Sequence, residues 1–191
     1  MSHSFFAYIF RMRYIARWAL MRNTRTENVE EHSYEVAVLA HALAAIGREI
    51  FHKDVDPDRA ATAALFHDAP EIITGDMPTP IKYYNPDIKT AYRQVEAVAR
   101  DKLLSMLPAE LAPAYEPLVR ESDREIRRYV KAADKLSAHI KCVEELKAGN
   151  SEFKMAAGQT MAALKDMEME ELDYFMESFL PAFGLTLEEL Q

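Results

Sequence analysis

Four residues in this chain have the types and spacing to hold a metal ion: His32, the adjacent pair His67-Asp68, and Asp134. Imidazole nitrogen and carboxylate oxygen make a mixed N/O site for a divalent cation, and four such donors leave positions for water and a substrate oxygen, as a catalytic centre requires. Adjacent side chains on a helix point about 100° apart, so His67 and Asp68 can share an ion only if it lies beside the helix and other ligands come from elsewhere. His32 and Asp134, on two other helices, would supply them. Taken singly, each residue has a plainer reading. A lone histidine on an apolar helix face is more often a hydrogen-bonded core residue than a ligand. The dipeptide His-Asp is common by chance, and Asp134 alone reads equally well as a solvated helix residue. The combination points to a metal, because a carboxylate buried beside Ala132 and Ala133 is costly unless paired with a cation. His41, nine residues beyond His32, falls on the opposite side of its helix and is excluded as a ligand. His3, His52 and His139 have no partner identifiable in the sequence.

The elements that must position these residues read as helices joined by short loops. Phe6, Ile9, Phe10, Ile15 and Leu20 predict a first helix over about 3–21, with Arg17 and Trp18 near its end. Asn28 with Glu31 three residues on is a capping-box start, which puts His32 in the first turn. Val36, Leu39, Ala40, Leu43 and Ile46 then continue the inward stripe to which His32 belongs. Asp56-Pro57 opens a helix that runs through AATAALFHDAPEIITG. Pro70 cannot donate to the carbonyl of Phe66, so this helix should end, kink or restart beside the His-Asp pair. GDMPTPIK, 75–82, reads as a loop stiffened by Pro78 and Pro80. Helices resume over about 87–106 and briefly after Pro108. Two long ones follow over about 122–148, carrying Asp134, and about 151–178, ahead of Pro181, and a short turn follows Thr186.

Composition agrees with an all-α class. Five glycines in 191 residues, with abundant Ala, Leu, Glu, Lys, Arg and Met, favour long helices over hairpins, and 49% apolar content suits one domain over 1–191. A net charge of −8 argues against a nucleic-acid polymer, which needs an extended basic surface. The run Arg11, Arg13, Arg17, Arg22 and Arg25, with no acid before Glu27, is either a solvated face or a local phosphate site. Cys142 is the only cysteine, which excludes an internal disulfide and fits a small buried residue in a reducing compartment. The arginines interrupt the apolar residues at the start of the chain, so neither a signal peptide nor a membrane span is expected, and the expected location is the cytoplasm.

His, then His-Asp, then Asp, all on predicted helices, is the pattern of the HD-domain phosphohydrolases. The segments RWALMRNTRTENVEEHSYEVA, LFHDAPEIITGDMPTPIKYYN, VKAADKLSAHIKCVEELKAGN and LDYFMESFLPAF resemble the bacterial 5'-deoxynucleotidase branch over most of the chain. The resemblance implies a single HD-domain helical fold with one divalent ion (Co, Mn, Fe, Mg or Zn) on His32, His67, Asp68 and Asp134. It implies Glu71 as the acid-base residue, and the spacing agrees: Glu71 lies four residues after His67 and three after Asp68, although an ordinary surface Glu is the plainer reading. It implies that Arg17 orients the phosphate, as a planar guanidinium can, and that Trp18 stands against the sugar to reject a 2'-hydroxyl. Core packing is the commoner fate of a solitary Trp. Asp68, Asp76, Met77, Pro78 and Thr79 would complete the substrate side, with a structural turn as the competing reading of the loop. The implied substrate is a 2'-deoxyribonucleoside 5'-monophosphate and the implied assembly a homodimer. Phe175, Phe179 and Phe183 are apolar enough to pack in the core or at such an interface. The alternatives are action on nucleoside triphosphates or cyclic phosphodiesters, or a non-catalytic, metal-stabilised helical binding protein.

Overall fold

A computed structural model describes residues 2–82, 84–120 and 122–190; the side chains of Thr79 and Pro80 lie outside the described set. Among the described residues there is no strand, only an isolated backbone bridge between Ala16 and Asn28. The helices are α1 (Phe5–Ile9), α2 (Val29–Glu49), α3 (Pro57–Ala64), α4 (Glu71–Thr74), α5 (Thr79–Lys82), α6 (Pro86–Leu104), α7 (Ala112–Arg120), α8 (Arg124–Lys147), α9 (Lys154–Lys165) and α10 (Glu170–Ser178). No described helix is long and apolar enough to cross a membrane.

α2 starts where the sequence predicts. Asn28 accepts from the Glu31 amide at 3.0 Å while Glu31 accepts from the Asn28 amide at 3.1 Å, a reciprocal cap worth about 1 kcal/mol. The helix buries Val36, Leu39, Ala40, Leu43 and Ala44 against α3 and α8, whose facing residues Ala60, Ala63, Ala64, Ala132 and Ala133 are small. Short side chains let these helices approach closely, which brings His32 on α2 and Asp134 on α8 within reach of one another. A second apolar cluster joins Phe5 of α1, Leu103 and Leu104 of α6, Leu107 just beyond it and Val119 of α7.

Three expected helices are cut shorter than their apolar patterns suggest. The first ends as α1 and a 3-10 turn over Phe10–Tyr14. Beyond it the backbone pairs with the approach to α2 through Arg17 N–H to Glu27 O at 2.9 Å and Val29 N–H to Ile15 O at 3.0 Å. Arg17 and Trp18 therefore sit on an irregular segment, with Trp18 at the left-handed φ of 55°. α3 stops at Ala64, and residues 65–70 continue as tight i to i+3 turns, so the His-Asp pair is not α-helical. The predicted helix over 151–178 is broken between α9 and α10, where Glu168 has φ 48° and its carbonyl accepts from Arg128 at 3.1 Å; the break lets Met169 and Leu172 both enter the core. The loop expected over 75–82 holds one helical turn, α5, because Pro78 O accepts from the amides of Ile81 and Lys82.

Glu145 on α8 ties the irregular segment down. Its buried carboxylate accepts from the Thr24 amide and hydroxyl, from Asn150 Nδ2 at 2.8 Å and from Lys141 Nζ at 2.6 Å, and the same ammonium reaches Arg25 O at 2.6 Å. Burial alone would push this carboxyl up, but the Lys141 ammonium, Asn150 and Thr24 outweigh it and hold it well below the usual carboxylate range. A depressed folded value stabilises the fold fully above the unfolded value of about 4.3 and loses that contribution as the pH falls further. Glu145→Gln, which leaves the Lys141 ammonium buried without a counter-charge, should cost about 3 kcal/mol in urea unfolding at pH 7. The gap to wild type should narrow only below about pH 4; a gap constant down to pH 3 would remove the ionised clamp.

Gly47 on α2 provides a second test of packing. A Cβ there would lie 2.7 Å from the Tyr129 hydroxyl and 3.0 Å from Glu171 Oε1, two buried groups bonded to each other at 2.6 Å. Alanine gains about 1 kcal/mol of helix propensity, but overpacking costs about 1–3 kcal/mol and the Tyr129–Glu171 bond must also shift. Gly47→Ala should therefore lower the urea midpoint, and a raised midpoint would show that Tyr129 yields freely.

Candidate metal centre and nucleotide pocket

The tight turns over 65–70 lie between the two apolar clusters. Ala63 and Ala64 pack in the main core, whereas Phe66 and Ala69 pack with Phe5 and Leu103, so the peptide carrying His67 and Asp68 is gripped on both sides. Pro70 then starts α4: its carbonyl accepts from Ile73 and Thr74, and Glu71 N–H donates to Asp68 O at 2.9 Å. Gly75, at φ 73°, closes that turn onto Glu71 O and delivers Asp76 to the site, a conformation that favours glycine.

The donor atoms of His32, His67 and Asp68 all lie within 4.8 Å of one another. His32 Nε2 is 3.1 Å from Asp134 Oδ1 and 3.6 Å from Asp68 Oδ2, and His67 Nε2 is 3.1 Å from Asp68 Oδ2. Of the four expected residues, His32, His67 and Asp68 form the mutually close group, Asp134 joins it through His32, and the pair supplying two of them is not helical.

The hydrogen bonds at the other ring nitrogens indicate what the cluster fits. His67 Nδ1 donates to Ala64 O at 2.7 Å, which turns Nε2 inward as a lone pair; that buried atom has no hydrogen-bond partner. His32 Nδ1 lies 3.2 Å from Ser137 Oγ, and the same hydroxyl donates to Glu35 Oε2 at 3.1 Å. Two imidazole lone pairs thus face two carboxylates, an arrangement that repels unless a cation lies among them. The donor set fits a divalent metal ion, with both histidines oriented through their outer nitrogens.

Electrostatics around the cluster are strongly biased. Without a cation among these groups, burial opposes a charged His67, but the adjacent Asp68 carboxylate outweighs it and carries the imidazole up to about 9, so that a proton on Nε2 takes the place a metal ion would otherwise fill. Burial and the Arg17 guanidinium lower His32. In the same ion-free state, hydrogen bonding from His32 outweighs desolvation and holds the partly exposed Asp134 down to about 2. Glu71 is buried, one of its carboxyl oxygens has no hydrogen-bond partner, and burial with the nearby Asp68 and Asp76 charges pushes it up to about 9. Glu71 is therefore a buried carboxyl whose surroundings favour its protonated form, not the surface residue of the plainer reading.

Arg17 donates from Nε to Glu27 Oε1 at 2.8 Å and has a terminal nitrogen 3.6 Å from Asp68. It lines a pocket of about 370 Å³ together with Trp18, Asp76, Pro78, Asp134 and Lys135 and with Ala156, Gln159 and Ala163 of α9. The Trp18 ring packs against Phe153 at 5.3 Å, and its indole N–H is buried without a protein acceptor. Met77 is half-buried but is not part of the pocket lining, and the Thr79 side chain lies outside the described residues. Arg13 and Arg22 pair with Glu30 and Glu152, so the arginine run divides between surface ion pairs and one site residue. His41 is exposed beside Asp58 and away from the cluster, whereas His139, for which the sequence offered no partner, bonds Thr160 Oγ1 at 2.9 Å. Cys142 is buried and free.

Sequence reasoning did not single out Glu27, Glu35, Ser137 or the α9 wall. For Glu35 and Ser137 a signal existed: each lies three residues beyond a candidate ligand on the same helix, where side chains share a face. Glu27 lies on the segment that pairs with Ile15–Arg17, and the α9 residues reach the pocket only through tertiary packing.

The family model for 5'-deoxynucleotidase YfbR-like proteins matches residues 4–183. A curated relative from Photorhabdus temperata, described as 5'-deoxynucleotidase yfbR, is 50% identical over 192 residues, covering 100% of this chain and 97% of its own. Among solved structures, a HD-domain phosphohydrolase from Listeria innocua superposes with a TM-score of 0.81 at 26% identity, covering 94% of this chain and 88% of that one. A cyanophage S-2L HD phosphohydrolase, solved with dA and one catalytic Zn2+ ion, shares the fold with a TM-score of 0.66 at 24% identity over 92% of this chain and 95% of its own. With a family match over nearly the whole chain and a His/Asp cluster suited to a divalent ion, this chain belongs to the YfbR-like 5'-deoxynucleotidases, a metal-dependent branch of the HD-domain phosphohydrolases.

Proposed function

We propose that residues 1–191 form one HD-type domain that hydrolyses 2'-deoxyribonucleoside 5'-monophosphates, with one divalent ion on His32, His67, Asp68 and Asp134. The observation that carries this reading is a single pocket, within the usual size range for a small ligand, in which Arg17 and Asp134 adjoin Trp18 and the apolar face of α9. Its described lining has two cations, Arg17 and Lys135, against Asp76 and Asp134, which favours one phosphate over three.

When bound, a divalent ion supplies positive charge at the phosphoryl group and makes a water acidic enough to attack near neutral pH. Co2+, Mn2+, Fe2+, Mg2+ and Zn2+ all suit the donor set. Arg17, held at Nε by Glu27, turns its remaining donors to phosphate oxygens. The water oxygen bonds to phosphorus as the bond to the 5'-oxygen breaks, and Glu71, buried and protonated, gives its proton to that oxygen. A proton from the attacking water restores Glu71. Trp18, fixed by its left-handed backbone and by Phe153, occupies the space of a 2'-hydroxyl, while Asp68, Asp76, Met77, Pro78 and Thr79 close the substrate side. The assembly proposed is a cytoplasmic homodimer. Phe175 is committed to the core and Phe183 packs against it, which leaves the half-exposed Phe179 for an interface.

Chelator-stripped enzyme resupplied with each metal should release inorganic phosphate from dAMP, dGMP and dTMP and little from AMP. Equal turnover of AMP would remove the role given to Trp18, and no turnover with any metal would leave a non-catalytic metal-binding protein. Glu71→Gln should lower kcat by about 10²–10⁴-fold with KM nearly unchanged; a wild-type kcat would mean that the leaving oxygen takes its proton from another group.

A further inference from the structure

α2 and α8 carry matched pairs across their contact: His32 with Glu35, and Asp134 with Ser137, each pair three residues apart on one face. The first member of each pair points into the metal cluster. The second members meet behind it, where Ser137 Oγ lies 3.2 Å from His32 Nδ1 and 3.1 Å from Glu35 Oε2.

The direction of these bonds is fixed by chemistry. An ionised carboxylate only accepts, so the Ser137 proton points to Glu35, and the hydroxyl oxygen is left to accept from His32 Nδ1–H. His32 is thereby held as the tautomer whose Nε2 lone pair faces Asp68 and Asp134. Glu27 Oε1 also lies 3.7 Å from Nδ1, beyond hydrogen-bond length, and is engaged by Arg17 Nε at 2.8 Å. Ser137 is buried, whereas Glu35 is half-buried and lines a second cavity of about 210 Å³ with Tyr34, Val38, Ile140 and Lys141. That cavity shares no lining residue with the nucleotide pocket, so the outer end of the chain keeps contact with solvent away from the substrate.

We infer that Ser137 and Glu35 are positioning residues for the metal centre: a serine-carboxylate relay that fixes the tautomer and ring angle of His32 and strengthens it as a donor. The inference rests on the metal-site reading above. Outer partners of metal-bound histidines typically contribute about 10–100-fold in metal affinity. Neither residue touches substrate, so the relay should be read in metal binding and not in substrate affinity.

The test titrates Co2+ alone into chelator-stripped wild type, Ser137→Ala, Ser137→Thr, Glu35→Gln and Asp68→Ala. Affinity is read by competition with a chelating dye, geometry by the Co2+ visible spectrum, and folding by circular dichroism. Ser137→Ala should bind Co2+ about 10–100-fold more weakly with an altered spectrum, while KM for the deoxynucleotide stays near wild type once the ion is saturating. Ser137→Thr, which keeps the hydroxyl, should recover most of the affinity, and Glu35→Gln should fall between. If Ser137→Ala and Glu35→Gln both bind Co2+ as wild type does while Asp68→Ala loses it, the relay is overturned and the metal site stands. If Asp68→Ala also binds normally, the metal-site reading itself fails. Should Ser137→Ala not fold, Glu35→Gln decides: weakened binding supports the relay and unchanged binding overturns it.

Discussion

Two carboxylates and two imidazole rings are held face to face at the edge of the core, and the rest of the structure is arranged around the negative charge they gather. Asp68 and Asp134 both lie within 3.6 Å of the same His32 nitrogen. Like charges that close repel by about 2–4 kcal/mol even at an effective dielectric of about 20. Three of the four are fixed from behind: His67 by Ala64 O, His32 by Ser137, and Asp68 by a turn clamped between two apolar clusters. What the protein builds is a seat for positive charge.

The same field accounts for the neighbours. Arg17 is drawn toward Asp68, and Glu27 shares its charge while fixing its direction. Glu71 is the carboxyl for which burial and the Asp68 and Asp76 charges outweigh the pull of Arg17 and Lys82, which favours its protonated form. One arrangement therefore separates carboxyl groups of similar chemistry into ionised ones in the metal cluster and a protonated one beside it. Opposite environments are what acid-base chemistry at a single pH demands.

Features resting on local chemistry were legible in the sequence. The Asn28–Glu31 cap, the Asp56-Pro57 start and the inward face of His32 need only side chains within one turn of each other, and all three stand as read. Features set by distant contacts were not. Nothing near Tyr14 breaks a helix; the chain leaves it because residues 15–17 pair with 27–29 and Glu145 captures Thr24 from 121 residues away. The break at Glu168 is equally silent, since it exists to bring Met169 into the core. Pro70 announced an irregularity, but whether the helix stopped before or after His67 depended on Phe66 packing in one cluster and Ala64 in the other.

Strain and unfavourable burial are concentrated where the chemistry lies. Trp18 holds a left-handed backbone at a cost of about 1–3 kcal/mol, Glu71 is buried with a carboxyl oxygen unpaired, and the metal donors repel. None of these would persist in a freely relaxing chain. They are held in a frame in which α2, α3 and α8 meet through buried alanines, and the Glu145–Lys141 pair ties down Thr24 and Arg25, a few residues beyond Trp18. The apolar core and the site are thus coupled: the small residues that bring the helices together stabilise the fold and also deny the charged groups room to separate.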